Sequence, residues 1–114
     1  MNKYTELSDL EINKIVAEEL IQSGFIIDVE YSENYIFVKD KYHDCYAFDP
    51  CNNPTDAMPI IIENKICMNY IDGDIGWCAY HFDEEKGELE IYDKNYYRVA
   101  MILFLLMKDA ENEG

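Results

Sequence analysis

An uninterrupted apolar run constrains the fold of this chain more than any other feature. It extends from Val99 to Met107, about half the length that a bilayer-spanning helix needs. Asn95 is a good N-cap before the run, and the polar segment 108–114 follows it. A helix that is apolar on every side must be covered on every side. We therefore predict a C-terminal helix packed on a sheet, with the first helix or a second subunit covering its other side. We expect a homo-oligomer formed through this helix.

The chain starts with a second well-signalled helix. Ser8 and Glu11 have the spacing of a capping box, with Leu7 and Ile12 at the positions of a hydrophobic staple. Gly24 is a natural C-terminal stop. Apolar residues recur between these limits at helical spacing, at Ile12, Ile15, Val16 and Leu20.

Six segments rich in β-branched and aromatic residues predict strands. They cover residues 25–30, 35–39, 45–48, 65–71, 77–82 and 88–92. Asp72-Gly73 is a strong turn dipeptide, and the alternation of Leu89 and Ile91 with acids predicts a sheet with one solvent-exposed face. The fold class is α+β: an N-terminal helix, an antiparallel sheet of about four to six strands, a short inserted helix, and the C-terminal apolar helix packed on the sheet. The length of 114 residues predicts a single domain, 1–114.

The segment "DPCNNPTDAMPIII", residues 49–62, is the least regular part of the chain. Asn53 before Pro54 is typical of a helix start, and Asp56 in the first turn suits the helix dipole. Pro59 would cost a hydrogen bond inside that helix. Either a short turn ends before Pro59 and another begins there, or the helix starts late. The segment is a helix start, a binding loop, or both.

The formal net charge is −15, from 24 acidic and nine basic residues. Such a field repels DNA, RNA and anionic membranes, so we expect neither direct nucleic-acid binding nor membrane binding. It favours basic partners or mimicry of a polyanion, although it also serves solubility alone. Eight of the nine basic residues are lysines, and Arg98 is the single arginine.

No motif of catalysis or metal binding is present in the sequence. The four cysteines are widely spaced without a C-x-x-C pair, which predicts free thiols in a reducing cytosol. His43 and Cys45 could share a metal ion, but further ligands at motif spacing are missing. Neither a catalytic triad nor a P-loop is found. We therefore predict a non-enzymatic protein without metal or cofactor, in which His43 and His81 are structural or exposed.

Arg98 is the most informative single residue. It falls in the first turn of the last helix, where a cation opposes the helix dipole and needs compensation. A salt bridge to an acid would compensate it, and so would an anionic ligand held together with free backbone N–H groups. Nearby aromatic residues could stack on a ring of such a ligand. The candidate ligand-binding residues are Asn52, Asn53, Asp56, Trp77, Asn95, Tyr96, Tyr97 and Arg98.

Three segments resemble one protein family. "NKYTELSDLEINK", "DPCNNPTDAMPIIIENKI" and "NYYRVAMILFLLMK" are similar to the signature segments of the NinX-like family, small proteins of tailed phages and prophages whose function is unknown. Asn95 and Arg98 match the family pattern. Met58 stands where the family usually has tryptophan, and Tyr96-Tyr97 stand where proline and leucine are usual. A different ligand preference is expected if that tryptophan stacks on a ligand.

The resemblance implies a phage accessory protein acting in the host cytoplasm. The first hypothesis is counter-defence by binding and sequestering a nucleotide-derived immune signal. The alternative is an acidic inhibitor that contacts a host protein directly, possibly by DNA mimicry, and a structural role in the phage recombination region is a third. Loss of ligand binding in Arg98→Ala would support the first hypothesis. Loss of partner binding on replacing Glu84, Glu85, Glu88 and Glu90 would support the second.

Overall fold

The computed structural model describes residues 3–112, and the chain groups into two compact units that meet in sequence between Asp49 and Pro50. The predicted α+β class is confirmed, with three helices and six antiparallel strands within residues 3–112. The strands divide into two three-stranded sheets, one in each unit. The single domain stays a prediction.

The first unit consists of one helix and one sheet. Helix α1 spans Asp9–Gln22, and strands β1, β2 and β3 span Ile26–Tyr31, Ile36–Asp40 and Cys45–Ala47. The sheet has the order β1-β2-β3 with antiparallel pairs, and α1 packs against β1 and β2. Strands β1 and β2 therefore form a hairpin around residues 32–34.

Helix α1 begins at the predicted capping box. The Ser8 hydroxyl accepts the N–H of Glu11 at 3.1 Å, and the Glu11 carboxylate accepts the N–H of Ser8 at 3.0 Å. These bonds satisfy two of the backbone donors that a helix start leaves open. The apolar positions of the helix are those buried against the unit, including Ile12, Val16 and Leu20.

The second unit consists of two helices and a sheet. Helix α2 spans Pro54–Glu63, strands β4, β5 and β6 span Cys67–Asp72, Gly76–Asp83 and Gly87–Asp93, and helix α3 spans Tyr96–Asn112. The sheet order is β4-β5-β6, all antiparallel. Helix α3 packs on β5, β6 and α2, so the prediction of an apolar C-terminal helix on a sheet is confirmed.

Helix α2 begins where Asn53 and Pro54 predict, but both alternatives for Pro59 are wrong, and a binding role of segment 49–62 stays a prediction. Asn53 is the N-cap, since its side-chain oxygen accepts the N–H of Thr55 at 3.0 Å, and Pro54 takes a position in the first turn. The helix then continues through Pro59 without a second start. The carbonyl that Pro59 leaves without its helical donor is that of Thr55, close to the helix start, so the cost is confined to one hydrogen bond.

Helix α3 is covered within the chain. Residues Val99 to Leu105 are each at most 2% exposed. Within its own unit the helix packs on the sheet and also contacts α2. The sequence predicts only the first helix or a second subunit as the second covering element. Burial of the apolar run therefore does not require a second subunit, and the homo-oligomer through α3 stays a prediction. In the region 3–112, none of the helices combines the length and apolar character required to cross a membrane.

Gly76 fixes the position where β5 begins. Its φ of +92° lies in the left-handed region, and a Cβ there would come within 2.6 Å of the Cα of Lys94 and 2.7 Å of the carbonyl oxygen of Asp93. Only glycine permits both the conformation and the close approach. Gly76 thereby brings the start of β5 next to the segment that leads into α3.

Candidate functional site

Four aromatic side chains form a continuous row at the start of α3, which we call the aromatic row. Its members are Tyr70 on β4, Trp77 on β5, and Tyr96 and Tyr97 on α3. Successive ring centroids are 5.2, 4.8 and 5.0 Å apart, and each pair meets edge to face. This is a favoured arrangement for aromatic pairs. The rings therefore stabilise one another, and Tyr70 is also 59% exposed.

The start of α3 is capped by its own side chains. The Asn95 side-chain oxygen accepts the N–H groups of Tyr97 at 2.9 Å and Arg98 at 3.0 Å. A carboxylate oxygen of Asp93 accepts the N–H of Asn95 at 2.8 Å. Asn95 is thus the predicted N-cap, and the N–H groups of Asn95, Tyr97 and Arg98 at this helix start are engaged within the protein.

Arg98 has an acidic partner. Its Nε lies 3.4 Å from the second carboxylate oxygen of Asp93, and the two side chains are 14% and 29% exposed. Of the two ways to compensate a cation in the first turn, the structure contains the salt bridge. An anionic ligand at Arg98 would therefore compete with Asp93 for the guanidinium group.

The remaining three candidate residues belong to the start of α2. Asn53 caps this helix, as described above. Asp56 is in its first turn and is buried, with 9% exposure. Asn52 lies just before the cap and is exposed. Of the eight candidate residues, the structure brings together Trp77, Asn95, Tyr96, Tyr97 and Arg98 around the start of α3.

A second surface lies on the outer face of the second sheet. Register pairs Tyr80 with Glu90 and Phe82 with Glu88, so these four side chains share one face. Tyr92 extends it along β6. The opposite face carries buried Ala79 and Ile91 against α3. We call the five outward residues, Tyr80, Phe82, Glu88, Glu90 and Tyr92, the acidic–aromatic face.

The acidic–aromatic face keeps its hydroxyl groups protonated. Burial, followed by the charges of Glu88 and Glu90, raises the pKa of Tyr80. The pKa of Tyr92 is raised by Cys78 and then by Glu90. Burial raises the pKa of Cys78 as well. The charge of this face therefore comes from its carboxylates, and the hydroxyls of Tyr80 and Tyr92 are hydrogen-bonded to Glu88 and Glu90.

Metal-binding geometry is not found in the part of the chain that the structure describes. No group of three or more His, Cys, Asp or Glu side chains in residues 3–112 is placed to hold an ion. His43 and Cys45 are both exposed, and His43 has a φ of 70° in the turn before β3. None of the four cysteines, which all lie within residues 3–112, forms a disulfide.

Two residues of the α3 site were missed from the sequence. Tyr70 extends the aromatic row, and Asp93 binds both Asn95 and Arg98. A signal existed for Asp93, because an aspartate readily accepts the backbone N–H two residues later. Tyr70 could be found only from the pairing of β4 with β5, which places it opposite Trp77.

The sequence matches the family described as Bacteriophage P22, NinX over residues 3–108. The match covers nearly the whole chain, and the chain belongs to this family. Neither the curated proteins nor the solved structures contain a match.

Proposed function

We propose that this NinX family member acts in the host cytoplasm as an acidic inhibitor that binds a basic surface of a host protein through the acidic–aromatic face. One observation carries the proposal: Glu88 and Glu90 are exposed beside Phe82 and Tyr92, which are 55% and 46% exposed. Sheet faces open to water usually carry polar side chains, so large apolar rings among carboxylates favour a contact surface.

The composition of this face suits a protein partner. Aromatic side chains supply much of the binding energy at protein interfaces. The net charge of −15 would steer a basic partner toward the surface and reject other acidic proteins. The proposal requires no catalysis and no cofactor.

A nucleic-acid-binding host protein is the partner that fits this charge pattern best. Glu88 and Glu90 are two residues apart on one strand, so their side chains project from the same side about 7 Å apart. A row of carboxylates on a protein surface presents negative charge as a nucleic-acid backbone does. Binding would then block the surface that the host protein uses for DNA or RNA.

The test compares two double variants with equal loss of charge. Glu88→Gln with Glu90→Gln alters the face, and Glu6→Gln with Glu33→Gln removes two exposed acids of the first unit. Host proteins retained by the immobilised wild type are identified, and the affinity of the purified partner is then measured. We expect at least about a tenfold loss only for the face variant. Equal binding by the wild type and both variants would refute the proposal.

Sequestration of a nucleotide-derived immune signal is the second candidate, and the aromatic row favours it. Trp77, Tyr96 and Tyr97 are half-buried beside the single arginine, so a base could stack on a ring of the row while a phosphate binds Arg98 in competition with Asp93. The Asp93 carboxylate already compensates the charge of Arg98 and opposes an anionic ligand, which places this candidate second.

Native mass spectrometry with cyclic and ADP-ribose-derived nucleotides tests sequestration. A ligand recovered unchanged after denaturation is the expected result if the protein sequesters it. Arg98→Ala should then abolish binding, whereas Lys94→Ala, which removes an exposed cation close by, should not. Absence of binding across the panel, or equal loss in both variants, contradicts this candidate.

A further inference from the structure

We propose that strand β4 pairs with β4 of a second copy of this chain, joining the two second-unit sheets into one six-stranded sheet. The proposal is independent of the inhibitor function and of the homo-oligomer expected through α3. It rests on the outer edge of β4, where the backbone groups have no strand partner in residues 3–112 because the sheet order is β4-β5-β6.

Short length or charged side chains discourage pairing at three of the four sheet edges in residues 3–112, whereas β4 has only an irregularity in its pairing between Tyr70 and Asp72. Strand β3 has only three residues, β1 carries Asp28 and Glu30, and β6 carries Glu88 and Glu90. Short length and charged side chains are the usual protection of edge strands. Residues 67–71 of β4 contain no charge, no proline and no glycine. This edge is therefore open to strand addition.

The side chains of β4 are exposed along most of its length. Cys67, Asn69, Tyr70, Ile71 and Asp72 are all exposed, with Tyr70 at 59% and Ile71 at 43%. Apolar residues on an unprotected edge are unfavourable in water and become covered when another strand is added.

The charges at the two ends of β4 select an antiparallel second copy. Lys65 precedes the strand and is exposed, while Asp72 and Asp74 lie at its other end. Antiparallel self-pairing places the lysine of each copy near the aspartates of the other, whereas parallel pairing would place like charges together. In a two-fold symmetric dimer, the contact between the lysine and the aspartates occurs at both ends of the interface.

The register that fits best has its two-fold axis at Asn69. A two-fold axis perpendicular to the sheet does not exchange the two faces of the sheet. Two residues that lie opposite each other in the two copies must therefore be both odd-numbered or both even-numbered. Centring on Asn69 places Met68 of each copy opposite Tyr70 of the other, and it brings the Lys65 end of each strand toward the Asp72 end of the other. Both Met–Tyr pairs are favourable cross-strand contacts.

The proposed dimer would present two acidic–aromatic faces on one side. The strand order becomes β6-β5-β4-β4-β5-β6, and five strand spacings separate the two β6 strands by about 24 Å. A partner with an extended basic surface could then contact both faces, which would increase its apparent affinity without any new type of contact.

Sedimentation of the full-length protein over a range of concentrations tests the pairing. We expect twice the mass of one chain, and Asn69→Lys should weaken dimerisation about tenfold by placing two cations face to face at the axis. Asn34→Lys is the matched control, because it makes the same charge change at an exposed turn of the first unit. A wild type that stays monomeric, or equal dimers in both variants, overturns the proposal.

Cross-linking provides a second measurement that does not depend on affinity. In a background where the exposed Cys45 and Cys67 are replaced by serine, Asn69→Cys should form a disulfide-linked dimer, because the two residues 69 face each other across the axis. Asn34→Cys in the same background should not. Absence of the link in folded Asn69→Cys, checked by thermal unfolding, rejects this register and its axis.

Discussion

Helices α1 and α3 begin in the same way but are buried to different extents. Both start at a side-chain cap, Ser8 for α1 and Asn95 for α3. Helix α1 keeps an exposed side with Glu11 and Glu18, whereas α3 is buried all round from Val99 to Leu105. Helix starts depend on local chemistry, but the extent of burial depends on which elements pack nearby. The same kind of helix start therefore precedes one helix with a solvent-exposed side and one helix that is buried on all sides.

The largest effect should come from the body of α3. Phe104 is 2% exposed, and Phe104→Ala should lower the free energy of unfolding by about 3–5 kcal/mol through lost burial and the remaining cavity. Ile15→Ala on α1 should cost less than half of that, because Ile15 is only half-buried. Urea unfolding of both variants measures the difference. Equal losses would show that the two helices contribute alike to stability.

The next largest effect concerns a polar group that α1 buries. Asn13 is 3% exposed, and its side-chain amide donates to the Asp49 carboxylate at 2.7 Å. Every buried residue of α3 is apolar. Asn13→Ala should lower the free energy of unfolding by about 1–3 kcal/mol, because it removes a charge-assisted bond. Asn34→Ala, at an exposed turn, should change it by less than about 0.5 kcal/mol. Similar values for both variants would mean that the buried amide adds no stability.

The starts of the helices can be predicted from the sequence, whereas the elements that pack against them cannot. The caps at Ser8 and Asn53 and the strand positions were predicted, because each depends on neighbours along the chain. The division of six strands into two sheets was not, since alternation identifies a strand without identifying its partner. Packing of α2 on α3 was missed for the same reason. At the candidate site, the sequence predicts the cap at Asn95 and three of the four rings. It gives a salt bridge at Arg98 only as one of two alternatives and does not identify Asp93 as the partner.

Removal of the caps should give nearly equal, smaller effects. Ser8→Ala and Asn95→Ala should each lower the free energy of unfolding by about 1 kcal/mol. Asn95 accepts two N–H bonds, while Ser8 shares a reciprocal pair with Glu11. Thermal unfolding of the two variants provides the measurement. A much greater loss in Asn95→Ala would show that this residue also holds the Asp93–Arg98 contact in place.

The smallest effect should be a pH dependence that arises from Glu11 at the start of α1. The backbone N–H of Ser8, followed by its hydroxyl, holds the pKa of Glu11 below its ordinary value of 4.5. Because the folded-state pKa is the lower one, this stabilisation is complete above the unfolded-state pKa and is lost as pH falls through the folded-state value. Helix α3 has Arg98 at the corresponding position, which does not titrate in this range. Glu11→Gln should therefore lose less stability than the wild type between neutral pH and about pH 3, and Glu33→Gln serves as the exposed control. If Glu11→Gln and the wild type lost the same free energy of unfolding as the pH falls, the Glu11 carboxylate would contribute no pH dependence to the start of α1.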